Sequence, residues 1–84
     1  MEPTTHELKT IQPYFNDICS GKKTFEIRRF DRDYKIGDKL HLAEWDLKGH
    51  YFTGKYRIRV ISHILTDAQQ YGLMDGYCIL SFEI

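Results

Sequence analysis

The eleven residues Ser20–Phe30, SGKKTFEIRRF, contain the point at which the chain changes its hydrophobic period, and the fold class turns on that change. Upstream, Ile11, Phe15, Ile18 and Cys19 recur at helical spacing. Pro13 suits a first helical turn, where its missing N–H costs nothing, and Gly21 suits the position just past a helix end. The spacing predicts a helix of about two turns over 13–20. From Lys23 the period is two, with Phe25 and Ile27 pointing one way and Thr24, Glu26 and Arg28 the other.

Outward from this stretch the pattern is mostly that of strands. His6–Ile11 is a short strand candidate on the N-terminal side. Downstream, DRDYKIGD reads as a turn, with Asp31 and Asp33 placed to satisfy backbone groups. KLHLAEWD, Lys39–Asp46, alternates Leu40 and Leu42 against His41, Ala43 and Trp45. LKGHYFTG forms a connection broken by Gly49 and Gly54. Lys55–Leu65 is the clearest strand, with an apolar row of Tyr56, Ile58 and Val60 opposite Lys55, Arg57 and Arg59. TDAQQYGLMDG suits a helical turn ending at Gly72 or a plain loop, and GYCILSFEI is apolar on both faces, as a central strand would be. The expected fold is one domain over residues 1–84, mainly β within the α+β class, a small barrel or curled sheet with one or two short helices.

The 84 residues are 42% hydrophobic and 29% charged, a globular composition near the lower size limit for folding without staples. Two cysteines, Cys19 and Cys78, sit in apolar pattern and read as packing thiols. The four histidines lack metal-ligand spacing, so neither a metal site nor a cofactor is expected. No apolar run is long enough to span a membrane and no secretory signal is visible, so a cytoplasmic location is expected. The net charge is zero, which argues against a non-specific duplex binder. The bases are unevenly placed, however: residues 60–84 carry three acids and no Lys or Arg. Any anion-binding face must therefore come from the first sixty residues.

Glu26 and Arg28 stand two apart on a strand, sharing a face at a backbone separation of about 7 Å. They can form an exposed ion pair of little energetic value, or line a cleft with Lys23, where an ammonium and backbone N–H groups converge near Gly21. Arg57 and Arg59 pose the same choice between a phosphate-contacting strip and a solvated sheet face. Trp45 suits the core or a stacking surface for a base, and Tyr51 and Phe52 suit a barrel cap or a similar platform. Nucleophilic catalysis has little support: there is no G-x-S-x-G motif, and no Cys has a local His partner. A Lys–Glu pair, Lys23 and Glu26, is the one arrangement that could act on a substrate.

Gly21, Lys23, Glu26 and Arg28 spell G-x-K-x-x-E-x-R, which resembles the signature of the activating-signal-cointegrator homology (ASCH) domain of the PUA-like superfamily. The ordered segments YFNDICSGKKTFEIR, DYKIGDKLHLAEWD and GLMDGYCILSFEI extend the resemblance over nearly the whole chain, to a small prokaryotic and phage subfamily. The resemblance implies a mixed-strand pseudo-barrel closed on one side by a helix, with the motif in a cleft beside that helix. It implies an RNA-binding module in which Lys23, Glu26 and Arg28 are cleft residues, Gly21 lets the backbone approach, and Thr24 lies in the same span. A branch of that family hydrolyses an acylated cytidine nucleoside through a motif Lys and a Thr three residues later. Here that position is Glu26 and no distant Glu partner is evident, so the chain departs from the hydrolase pattern.

Two function classes follow, with RNA or a nucleotide-like ligand as the expected partner. A recognition module would use Lys23 and Arg28 on phosphate or base acceptors, Glu26 to orient Arg28, Arg57 and Arg59 to extend the track, and Trp45 to stack. The alternative is a small amidohydrolase acting on a modified nucleoside or related amide through Lys23 and Glu26. A protein-interaction module is a third possibility, and nothing in the pattern speaks to oligomeric state.

Overall fold

In the computed structural model, which describes residues 2–83, Leu40 and Leu42 are wholly buried on one face of strand β3 (Lys39–Asp46). The other elements are β1 (Thr5–Thr10), helix α1 (Tyr14–Cys19), β2 (Phe25–Arg29), β4 (Tyr51–Leu65) and β5 (Tyr77–Phe82), with a single 3-10 turn at Gln69–Tyr71. The five strands make one sheet in the order β1-β3-β4-β5-β2. β1 runs parallel to β3, and every other neighbouring pair is antiparallel. The protein is thus mainly β with one short α-helix, and its sheet is open rather than a closed barrel.

β4 holds the two halves of the sheet together. Its first part, from Tyr51 to Val60, pairs with β3, and its second part, from Ile61 to Leu65, pairs with β5. A register shift between Ile61 and His63 marks the changeover, as a bulge does where a strand bends. β4 begins earlier than its alternation suggested, because Tyr51–Gly54 joins the ladder instead of the connection. Gly54 takes a φ of +96° there, beside a second register shift opposite Ala43 and Trp45. Lys55 follows this irregularity and lines a hollow with Glu7, His41 and Tyr56.

The core is Leu8, Ile18, Tyr34, Leu40, Leu42, Ile61, Cys78, Leu80 and Phe82. α1 covers it with Phe15 and Ile18, which are 2% and 1% exposed. The turn after β2 is pinned by Asp38, not by Asp31 and Asp33 as the sequence suggested. Those two acids are exposed, with side-chain accessibilities of 57% and 80%, and meet only the neighbouring Arg32 and Lys35. Asp38 is buried and accepts hydrogen bonds from the backbone N–H groups of Thr4 and Lys35 and from His6 Nε2, tying the start of β1 to the start of β3.

The faces of β2 and β4 decide where function can sit. On β2, Glu26 is 5% exposed while Phe25 and Ile27 are 41% and 54% exposed, so the charged row faces in and the apolar row faces out. On β4, register places Arg57 and Arg59 beside Leu42 and Leu40, and places Tyr56, Ile58 and Val60 on the opposite, exposed face. β2 thus inverts the ordinary arrangement of an amphipathic strand, whereas the first part of β4 is exposed on both faces apart from the half-buried Arg59.

Candidate functional site

The two edge strands, β1 and β2, face each other without pairing, and the residues of the Gly21–Arg28 motif occupy the space between them. The helix end sets this up. Ser20 N–H donates to Asn16 C=O, Gly21 N–H to Ile18 C=O and Lys23 N–H to Asp17 C=O, which satisfies the last carbonyls of α1. Gly21 takes a φ of +80°, a conformation in which glycine carries no Cβ penalty, and so turns the chain directly into β2.

Glu26 is the centre of the site. Lys23 Nζ donates to Glu26 Oε1 and to the Phe25 carbonyl. Arg28 Nε and Nη2 both donate to Glu26 Oε2, at 3.0 and 2.8 Å. Arg28 Nη2 also donates to the Lys9 carbonyl at 2.7 Å, a hydrogen bond that crosses from β2 to β1. A buried carboxylate flanked by an ammonium and a guanidinium leaves the cluster with one net positive charge. The Lys23 and Arg28 side chains remain 16% and 24% accessible, enough to meet a ligand entering from solvent.

The backbone contributes as well. Phe82 N–H donates to Thr24 C=O and Phe30 N–H to Gly76 C=O, so the even-numbered residues of this stretch turn their backbone groups toward β5. Phe25, Ile27 and Arg29 therefore present theirs to the open edge. On β1, Lys39 N–H donates to Thr4 C=O, which by the alternation of a parallel ladder leaves Glu7 and Lys9 facing the gap. Two hollows lie along this gap. One, of about 290 Å³, is lined by Lys9, Thr10, Ile11, Tyr14, Glu26, Ile27 and Arg28. The other, of about 320 Å³, is lined by Tyr14, Lys23, Phe25, Glu26 and Ile27. They share Tyr14, Glu26 and Ile27, and the Lys23 ammonium lies 4.7 Å from the Phe25 ring and 5.6 Å from the Tyr14 ring.

The structure thus brings Lys23, Glu26 and Arg28 together, with Gly21 and Thr24 on the same segment. It does not bring Arg57 or Arg59 to them. Arg59 Nη2 donates to the Ile18 carbonyl at the C-terminal end of α1, where a cation suits the helix dipole, and Arg57 is exposed on β4. Trp45 packs edge-on to Phe52 on the sheet's outer side, with Lys9 Nζ 4.0 Å above its ring. Lys9 is therefore the link: its carbonyl receives Arg28 and its ammonium covers Trp45. The cleft residues that the sequence did not mark are Phe25 and Ile27, which it placed on the far face of β2, and Lys9, Thr10, Ile11 and Tyr14. The last four come from β1 and the helix entry, and only the aromatic Tyr14 beside Pro13 could have drawn notice.

Among the described residues no group of three or more His, Cys, Asp or Glu is placed to hold a metal, and no helix is long and apolar enough to cross a membrane. Residues 5–82 match a family described as a domain of unknown function, DUF3850. The chain is also 46% identical over 75 residues to an "Uncharacterized 12.9 kDa protein in GpA 3'region" of Escherichia phage P2. That match covers 89% of this chain and 64% of the phage protein, so the chain spans under two thirds of its relative's length.

Proposed function

Because the chain belongs to the DUF3850 family, whose description assigns no activity, its role has to be inferred from its own residues, and we propose a module that recognises RNA or a nucleotide-like ligand. The binding site is the gap between β1 and β2. The observation that carries this reading is the Lys23–Glu26–Arg28 cluster buried in a groove between two free strand edges, with Tyr14 and Phe25 as half-exposed aromatic walls. Single-stranded nucleotides suit such a groove: their bases stack on aromatic rings, and their phosphates and base acceptors meet Lys23 and Arg28. Glu26 holds Arg28 oriented and offers an acceptor to an exocyclic amine when a cation is displaced. A local positive charge in a small groove is compatible with a neutral chain, as a long phosphate track would not be. In the same reading the fold is an ASCH-type, PUA-like pseudo-barrel, in which Arg28 spans the seam between β1 and β2.

The geometry favours recognition over hydrolysis. Lys23 Nζ is already engaged by Glu26 and the Phe25 carbonyl, and both Glu26 oxygens accept from cations. A nucleophile or base would have to break these contacts first. The test is a fluorescence-anisotropy titration with a short labelled single-stranded RNA at increasing salt. Saturable binding at low salt is expected, with a shallow salt slope of about one to two released ions. Arg28→Ala should weaken it by about 1–3 kcal/mol. Absence of saturable binding at low salt would reject the proposal, and turnover of an acylated nucleoside that Lys23→Ala abolishes would replace it with the hydrolase.

A further inference from the structure

A third free edge lies on the far side of the sheet from the cleft. In the β3–β4 ladder Ile61 N–H donates to Asp38 C=O, and Arg59 and Arg57 sit opposite Leu40 and Leu42. Antiparallel alternation then turns the backbone groups of Tyr56, Ile58 and Val60 away from β3. Val60 C=O still receives Glu83 N–H at 3.4 Å, where β5's pairing with β4 runs out. Beyond that point, among the described residues, no strand lies beside Ile58 or Tyr56. Their carbonyls are capped by arginines of their own strand: Arg57 Nη1 donates to Tyr56 C=O at 2.8 Å and Arg59 Nη1 to Ile58 C=O at 2.9 Å. Their N–H groups have no partner among the described residues.

The side chains on this edge are sorted by face. Tyr56, Ile58 and Val60 form an apolar row that is 52%, 42% and 42% exposed, and the opposite face carries Arg57 and Arg59. An uncovered edge usually carries devices against pairing, and the two carbonyl-capping arginines are such devices. A side chain that caps a carbonyl can be drawn off by a carboxylate, which offers a guanidinium a stronger, charge-assisted bond.

We propose that the Tyr56–Val60 edge of β4 docks an extended acidic segment of a partner protein as an added strand. The segment alternates apolar residues, which cover Tyr56, Ile58 and Val60, with Asp or Glu, which draw the exposed Arg57 off the Tyr56 carbonyl and open the ladder there, while Arg59 stays on the Ile18 carbonyl. Glu83 stands at the Val60 end, so the acidic positions fall toward Arg57. A second copy of this chain fits poorly: two-fold pairing centred on Ile58 sets Arg57 opposite Arg59 of the copy, and like charges directly across a ladder repel. Nucleic acid would meet the arginines but leave the apolar row and the free N–H groups uncovered.

The test is a titration of the protein with an end-blocked six-residue peptide alternating Glu and Val, read by backbone amide NMR and hydrogen exchange. Protection of the Tyr56 and Ile58 amides is expected. Arg57→Glu should weaken binding at least about tenfold and transfer preference to the Lys–Val version of the peptide, with Arg57→Ala intermediate. The proposal is overturned by the absence of binding, by protection at the β1 or β2 edges instead, by indifference to Arg57→Glu, or by concentration-dependent self-association through β4.

Discussion

Asp38 shows how one side chain can set the stability of a small sheet. Burial alone would raise its pKa, but the hydrogen bonds from His6, Thr4 N–H and Lys35 N–H outweigh that effect and hold the carboxyl below its usual value. A group depressed in the folded state contributes stability that is fully present above the unfolded pKa, about 3.9, and is lost as pH falls through the lower folded value. Asp38→Ala should therefore cost about 3 kcal/mol at neutral pH, since three bonds to a charged acceptor are lost at once. Urea denaturation at pH 7 and again below pH 4 checks both parts, and the gap between variant and parent should narrow in acid. Nothing in KIGD distinguished this acid from Asp31 and Asp33, because its partners Thr4 and His6 stand more than thirty residues away. The cleft cluster was legible for the opposite reason, since Lys23, Glu26 and Arg28 are neighbours in the chain.

At the scale of the element, period was readable and orientation was not. The bounds of β3 match the alternation of KLHLAEWD, with Leu40 and Leu42 buried as that pattern implies. β2 alternates just as cleanly, yet turns its charged row inward, and the first part of β4 leaves both of its rows exposed apart from the half-buried Arg59. Alternation separates two faces without saying which is inside, because that depends on neighbours fixed by pairing with distant strands. The helix was read one residue too long at each end, as terminal turns commonly are. Gly21 has a definite consequence at this scale. Its left-handed conformation stops α1 and aims β2, so Gly21→Ala should destabilise by about 1 kcal/mol and lower Tm by about 5 °C. The same substitution should weaken ligand binding in the cleft, because it disturbs the turn that delivers Lys23; an unchanged Tm in a thermal melt would contradict the assignment of strain.

For the whole molecule, the sheet order joins segments far apart in the chain. β1 pairs with β3 some thirty residues on, and β2 pairs with β5 about fifty residues on. Folding should accordingly fall in the slow range for small domains, about milliseconds to seconds, measurable by stopped-flow refolding. The position of β5 between β4 and β2 carries a further consequence. On a ribosome, β2 with its Lys23, Glu26 and Arg28 emerges early, but the strand that must hold it comes last among the five. Until Tyr77–Phe82 has emerged, β2 has no ladder, Glu26 has no buried setting, and the gap beside α1 has only one wall. A chain cut after Gly76 should therefore show no dispersed amide spectrum and no cleft binding. Closure of the cleft would then wait on the emergence of Tyr77–Phe82, so nascent chains that end before β5 would hold Lys23, Glu26 and Arg28 in no defined arrangement.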